Sequence, residues 1–168
     1  MQEMSGAQIL VKSLEDLGVV RIFGYTGAAI LPVFHALGQS SISINVNANE
    51  QSCAFGAAAY SRSSDRVGVA VVTSGPAITN TLTAVADSNA DSVPMLVFAG
   101  QVPQNRLGTD EFQHINVKKV FEEAAKKVVL ITDGTDVEQT VKDAYFYARS
   151  GKPGPVVIDF PLDAQQKT

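Results

Sequence analysis

The run Val67-Gly68-Val69-Ala70-Val71-Val72 constrains this chain more than any other stretch: six apolar residues with no polar face, leading straight into Thr73-Ser74-Gly75-Pro76. Such a run reads as a strand covered on both faces, and doubly covered strands belong to parallel sheets. Parallel neighbours are reached only through crossover segments, usually helices. The rest of the chain supplies them. Ser5-Gly6-Ala7-Gln8 reads as a capping box, followed by Ile9, Leu10, Leu14 and Leu17 at helical spacing up to a stop at Gly18. Val19–Phe23 is a strand, Gly24-Tyr25-Thr26-Gly27 a turn, and Ala28–Leu37 a second helix in which Pro32 falls early enough to be tolerated. Ile42–Val46 alternates as a half-buried strand does, and Asn47 and Asn49 are N-cap residues for the helix that follows.

Beyond the apolar run, a helix is expected over Ile78–Ser88, a strand over Pro94–Gly100 and a short helix over Val117–Ala125. A strand over Lys127–Thr132, a helix capped by Asp136 and ending near Ser150-Gly151, and a last strand over Pro155–Phe160 complete the pattern, with Asp163–Thr168 as a polar tail. Six strands alternating with helices, with no hairpin signal, imply an α/β fold: a six-stranded parallel sheet with right-handed crossovers and helices on both faces. No linker or repeat divides residues 1–168, which are expected to form one domain. A chain of this length buries about 68–70% of the surface its unfolded form exposes.

Net charge of −4 argues against nucleic acid or an anionic membrane as the main partner. The single cysteine, Cys53, lies among alanines and reads as a buried, inert thiol. No apolar run is long enough for a membrane span, and Met1-Gln2-Glu3-Met4 lacks the features of a signal peptide, so a cytoplasmic location is expected.

In open parallel sheets ligands lie outside the carboxyl ends of the strands. The segments Gly24–Gly27, Asn47–Glu50, Thr73–Pro76 and Gln101–Asn116 all follow strands and therefore share that edge. The last of them is long for a connection in a compact domain. Glu50 sits in a first helical turn, where an acid complements the helix dipole by about 0.3–1 kcal/mol. The small residues after it, Ala54, Gly56, Ala57, Ala58 and Ala59, let another backbone or a flat ligand come close. A carboxylate in such a junction loses water, and desolvated acids are useful in catalysis. Thr73-Ser74-Gly75-Pro76 matches neither the phosphate loop nor the dinucleotide glycine pattern. His35 and His114 have no partner at metal-ligand spacing.

Six short motifs occur in order: Phe23-Gly24-Tyr25-x-Gly27, Asn49-Glu50-Gln51, Thr73-Ser74-Gly75-Pro76-x-x-Thr79-Asn80, Gly100-Gln101-Val102-Pro103, Asp110-x-Phe112-Gln113 and Gly151-Lys152-Pro153-Gly154-Pro155. Together, from about Ser5 to Asp163, they resemble the pyrimidine-binding domain of thiamine diphosphate enzymes, most closely the catalytic subunit of acetohydroxyacid synthase (acetolactate synthase). The resemblance implies that Glu50 hydrogen-bonds the aminopyrimidine ring and so promotes proton loss at the cofactor's thiazolium carbon. It makes Glu50, Gln113 and Gly27 catalytic, and gives cofactor contacts to Tyr25, Pro76 and Asn80. Phe112 and Gln113 would meet the substrate, a 2-keto acid, in the condensation of pyruvate with a second keto acid for branched-chain amino acid biosynthesis. Lys152 would contact FAD, where the family pattern has arginine.

By the same resemblance, Mg2+ and the diphosphate are held by a second domain with a Gly-Asp-Gly motif, which this sequence lacks, Asp133-Gly134 having no first glycine. The chain is then half a site, working with a complementary diphosphate-binding domain or subunit, in a homo-oligomer, with a regulatory subunit as a further partner. Thr26, Ala28, Asn49, Ala77 and Glu111 depart from the family pattern. Added methyls at 28 and 77 narrow loops near the cofactor, and Glu111 places negative charge where an anionic substrate binds. A subunit of a two-chain 2-keto acid decarboxylase and a non-catalytic interaction module are the alternatives.

Overall fold

A computed structural model describes residues 3–132 and 134–168. Met1, Gln2 and Asp133, with the Asp133-Gly134 pair noted above, fall outside or at the border of the described residues. Six strands form one all-parallel sheet in the order β2-β1-β3-β4-β6-β5. They are β1 (Arg21–Tyr25), β2 (Ser43–Val46), β3 (Gly68–Val72), β4 (Met95–Gln101), β5 (Lys127–Leu130) and β6 (Pro155–Pro161). The helices are α1 (Gly6–Asp16), α2 (Leu31–Leu37), α3 (Glu50–Ser64), α4 (Pro76–Asn80), α5 (Leu82–Ala90), α6 (Val117–Phe121), α7 (Val137–Arg149) and α8 (Leu162–Gln166). Among the described residues no helix is long and apolar enough to cross a membrane.

The expected run is β3, buried at every position. Its side chains alternate between two cores. Val69 and Val71 pack with Leu96, Phe98, Val156 and Ile158 under α1, α2, α7 and α8. Ala70 and Val72 pack with Met95, Val97 and Val157 under α3, α4, α5 and α6. At about 25 cal/mol per Å² of apolar surface, these two layers are the main stabilising term. The alanine-rich face of α3 serves this packing: a Cβ on Gly68 would stand 2.0 Å from the Ala57 carbonyl oxygen, and one on Gly56 2.7 Å from the Phe23 ring. Close approach of backbones is the use made of those small residues.

Several boundaries differ from the sequence reading. Val19 and Val20 finish the turn out of α1, the Val19 N–H donating to the Leu14 carbonyl at 2.9 Å, so β1 starts two residues later. The helix expected over Ile78–Ser88 starts earlier and is two helices that meet at Thr81, whose hydroxyl donates to the Ile78 carbonyl at 2.7 Å. Hydroxyls that bond back to a preceding carbonyl bend helices. Asp163–Thr168 is not a free polar tail. Most of it belongs to α8, with Gln165 fully buried and its Nε2 donating to the carbonyls of Ala29 and Phe160, both at 2.7 Å. A glutamine that bonds both carbonyls behaves as a core residue despite its polarity.

Candidate functional site

The turn leaving β3 is the hub of the carboxyl edge. Gly75 holds φ +63°, a left-handed value that side chains rarely adopt. A Cβ there would meet the Cβ and carbonyl oxygen of Gln113, each at 2.8 Å, so the backbone of Gln113 lies directly on this turn. Gln113 is itself left-handed, at φ 59°. From the other side Gly27 seats on the same turn: a Cβ there would come within 2.5 Å of the Thr73 Cγ2. Two loops far apart in sequence are thereby fixed to one point.

From that hub α4 begins with Pro76, exposed, and ends with Asn80. The Asn80 Nδ2 donates to Glu50 Oε2 at 2.9 Å. Glu50 is the first residue of α3, capped by Asn49, whose Oδ1 accepts from the backbone N–H of Gln51 at 2.8 Å and of Ser52 at 3.4 Å. One carboxylate oxygen is therefore tied to Asn80, while Oε1 makes no hydrogen bond among the described residues. Glu50 is half-buried, and the small side chains that follow it turn toward β1 and β3. Tyr25 ends β1 opposite Val72 and is 40% exposed. Phe112 projects into solvent at 81% exposure.

The fold thus brings Glu50, Asn80, Pro76, Gly27 and Gln113 together around Thr73–Gly75, with Tyr25 on the adjoining strand end. Lys152 does not join them. It is exposed and precedes the amino end of β6, whereas the others gather at carboxyl ends. The departures also resolve. The Ala77 methyl enters the core at 5% exposure. Ala28 lines a cavity of about 510 Å³ between α1, α2 and α8, which contains no predicted site residue. Glu111 is paired with Arg106 at 2.7 Å, so its charge is not left bare. His35 is exposed, and His114 Nε2 accepts the Gly108 N–H at 3.2 Å. Cys53 is buried, and burial pushes its thiol pKa up.

Sequence reasoning passed over a second carboxylate. Asp159, in β6, is 6% exposed, and burial pushes its pKa from 3.8 up to about 7 against the opposing pull of Gln101. Gln101 Nε2 donates to Asp159 Oδ2 at 3.3 Å and to the Ile115 carbonyl at 3.0 Å, tying β4 and β6 to the segment that leads from Gln113 into α6. The signal was present as the one charged residue inside Pro155–Pro161, a strand otherwise apolar and wholly buried.

The edge offers an acceptor and apolar surface to a nitrogen heterocycle. A carboxylate oxygen is open to a ring N–H, and Pro76 and Tyr25 offer exposed apolar surface for a flat ring. Among the described residues no group of three His, Cys, Asp or Glu is placed to hold a metal ion. Residues 4–120 match the family described as thiamine pyrophosphate enzyme, N-terminal TPP binding domain. The chain is 45% identical over 163 residues to acetolactate synthase 1, chloroplastic, of Zea mays, covering 96% of this chain and 26% of that protein. It is 41% identical over 167 residues to acetolactate synthase, chloroplastic, of Arabidopsis thaliana, covering 99% of this chain and 25% of that protein. The chain spans about a quarter of the length of these relatives. With the matched residues containing Gly27, Glu50, Pro76, Asn80 and Gln113, the chain belongs to the thiamine pyrophosphate enzyme family as an N-terminal TPP-binding domain.

Proposed function

We propose that this chain is the pyrimidine-binding part of an acetolactate synthase, in which Glu50 binds the aminopyrimidine of thiamine diphosphate. The observation that carries this reading is the half-tied carboxylate: Asn80 holds Oε2 at 2.9 Å and leaves Oε1 to accept from a ring N–H. Bound there, the cofactor would supply the electron sink that lets a 2-keto acid lose CO2 and join a second keto acid. This chain's residues orient and hold a proton: Glu50 by hydrogen bond at the ring nitrogen, Asn80 by fixing the carboxylate, Pro76 and Tyr25 by bracketing the ring. Gly27 and Gln113, both seated on Thr73–Gly75, face the reacting side, with Phe112 toward the keto acid.

Residues 1–168 act in this reading as one pyrimidine domain. The diphosphate and Mg2+ belong to a domain outside this chain, supplied by the same or a second polypeptide in a homo-oligomer, with a regulatory subunit as a further partner. A FAD contact at Lys152 requires a site at the opposite end of the sheet from Glu50. The cytoplasmic location expected from the sequence is likewise a proposal, checked by cell fractionation, since the relatives above are named as chloroplastic.

Two readouts test the proposal. A 4-aminopyrimidine bearing the cofactor's ring substituents should shift the NMR signals of Glu50 and Asn80. The chain mixed with a diphosphate-binding complement should form acetolactate from pyruvate with thiamine diphosphate, Mg2+ and FAD. Ring binding without acetolactate, but with CO2 release, would favour the two-chain decarboxylase. Absence of both would favour the non-catalytic module.

A further inference from the structure

β4 ends at the carboxyl edge with a buried amide. Gln101 is 1% exposed, and both polar atoms of its side chain are engaged. Its Nε2 donates to the Ile115 carbonyl at 3.0 Å and to Asp159 Oδ2 at 3.3 Å, and its Oε1 accepts the Val102 N–H at 3.0 Å. Turned over, the amide would set its oxygen against two other acceptors and its NH2 against an N–H, so these partners fix its orientation. A polar side chain this deep costs free energy unless it is bonded, and an apolar residue would fill the place without that cost. The use of a glutamine here therefore lies in its bonds.

The bond to Asp159 repeats a link the sheet already has, since the main-chain register from Met95–Pro155 to Gln101–Pro161 joins β4 to β6. The bond to Ile115 makes a connection that the sheet does not. It runs from the last residue of β4 to the far end of the loop 102–116 and so closes that loop at its base. Loops of about this size whose ends meet are compact units. Within this one, the His114 N–H donates to the Glu111 carbonyl at 3.0 Å, and His114 Nε2 accepts the Gly108 N–H at 3.2 Å. Two residues before the bonded carbonyl stands Gln113, pressed on Gly75, with Phe112 next to it. The loop's anchor is rigid: β4 is buried at every position and paired on both sides.

We propose that Gln101 is a positioning residue for the keto-acid side of the site, given the reading above that Gln113 and Phe112 face the substrate. By closing the base of the 102–116 loop on the end of β4, its amide sets where those two residues stand against the Thr73–Gly75 turn. Gln101 acts through the loop and touches neither the pyrimidine nor the keto acid. Sites on loops are less precise than sites on strands, and this bond gives the loop the placement of the strand. A misplacement of about 1 Å is enough to cost a reaction about 10²-fold.

The test has two arms. In the first, the 168-residue chain alone is compared by NMR with Gln101→Met, which keeps the side chain's length and loses its bonds, and with Asp159→Val, which removes only the bond to β6. Gln101→Met is expected to weaken the NOE between the Gly75 α-protons and the Gln113 β-protons, and to raise amide exchange at Gly108 and His114 by about five- to tenfold, the worth of one hydrogen bond. Amides of β3 exchange through global unfolding and report stability separately. Asp159→Val should leave the loop as it is in the parent. In the second arm, the complemented enzyme, Gln101→Met should lower kcat/KM for pyruvate by about 10- to 100-fold and leave the thiamine diphosphate concentration for half-activation within about twofold. Gln101→Glu combined with Asp159→Asn exchanges donor and acceptor in the 101–159 bond, keeps the Val102 bond and leaves no donor for Ile115. At pH 8 it should behave as Gln101→Met does, which keeps the proposal falsifiable if the methionine variant fails to fold. An unmoved loop in Gln101→Met, the same loosening in Asp159→Val, or a loss confined to cofactor half-activation would overturn it. Absence of acetolactate from the complemented parent would count against the function proposed above, while the first arm would still decide the role of Gln101.

Discussion

Glu50 and Asp159 are two carboxylates toward the same end of one sheet, and their surroundings differ in most respects that matter to a charge. Glu50 lies at the amino end of α3, accepts from the Asn80 amide and keeps partial access to water. Asp159 lies inside a strand and is 6% exposed; among the described residues its carboxylate accepts from Gln101 alone and its Oδ1 has no partner. Position decides which of them can reach a ligand at the edge. Solvation decides over what pH range Asp159 stays charged. The feature that makes a carboxyl's titration unusual is therefore separable, in this fold, from the feature that makes it accessible to a large cofactor.

The largest expected effect falls on the accessible member. In the complemented enzyme, Glu50→Gln keeps the shape and the Asn80 contact but changes the proton held at the ring nitrogen. Loss of a positioned acid–base group lowers rate by about 10² to 10⁴-fold. Steady-state acetolactate formation checks it, and an effect below tenfold would sever Glu50 from the chemistry. Asp159→Asn in the same assay should leave the rate within a few-fold of the parent.

The second effect belongs to Asp159 and reads out as stability. Unfolded, its carboxyl titrates near 3.8; folded, near 7. Between those values the folded chain keeps a proton that the unfolded chain has lost. The contribution is fully present below 3.8 and is lost as pH rises through about 7, so this group makes the fold less stable at pH 8 than at pH 4. The shift corresponds to a difference on the order of 4 kcal/mol. Guanidinium unfolding at a series of pH values should show the decline in the parent and a flatter curve in Asp159→Asn. Identical slopes would show that Asp159 is not the group responsible.

The two carboxylates also differ in how legible they were. The order of strands and helices, the capping by Ser5 and Asn49, and the buried run of β3 were readable because each depends on residues near one another in sequence. The Glu50 edge was readable for the same reason: its motifs sit on turns that follow strands. The packing of the alanine-rich helix after Glu50 was less legible, since side chains that small permit close packing without saying which face receives it. Asp159 went unremarked, as did the burial of Gln165, because in both cases the partners come from across the fold: Gln101 for one, Ala29 for the other. Local pattern shows that a polar residue interrupts an apolar strand; only the assembled sheet shows what it meets.

The hub sharpens the comparison, because it holds Gly27 and Gln113 directly and meets Asp159 through the segment that runs from Gln113 to Ile115. Gly75→Ala puts a Cβ at φ +63° and 2.8 Å from Gln113, so the turn or the Gln113 loop must move. Strain of this kind costs about 1–3 kcal/mol. Thermal unfolding should fall by several degrees, at about 2–4 °C per kcal/mol for a chain of this size. Acetolactate formation should drop with it. The pH dependence assigned to Asp159 should persist, and its loss would mean that the two regions are coupled through the 101–116 segment.

A third carboxylate gives the smallest effect and a control for both. Glu111 is bound to Arg106 at 2.7 Å, with the two side chains 35% and 58% exposed, on the loop that also carries Phe112 and Gln113. It has neither the helix end that frames Glu50 nor the burial that shifts Asp159. Exposed pairs contribute about 0.2–1 kcal/mol and are screened by salt. Glu111→Gln should therefore change unfolding free energy by less than about 1 kcal/mol, with the difference vanishing in high salt. A double-mutant cycle with Arg106→Met measures the pair directly. Should Glu111→Gln instead raise affinity for pyruvate several-fold in the complemented enzyme, the charge on this loop reaches the substrate despite its pairing, and chemistry at this edge would then depend on two carboxylates, Glu50 and Glu111.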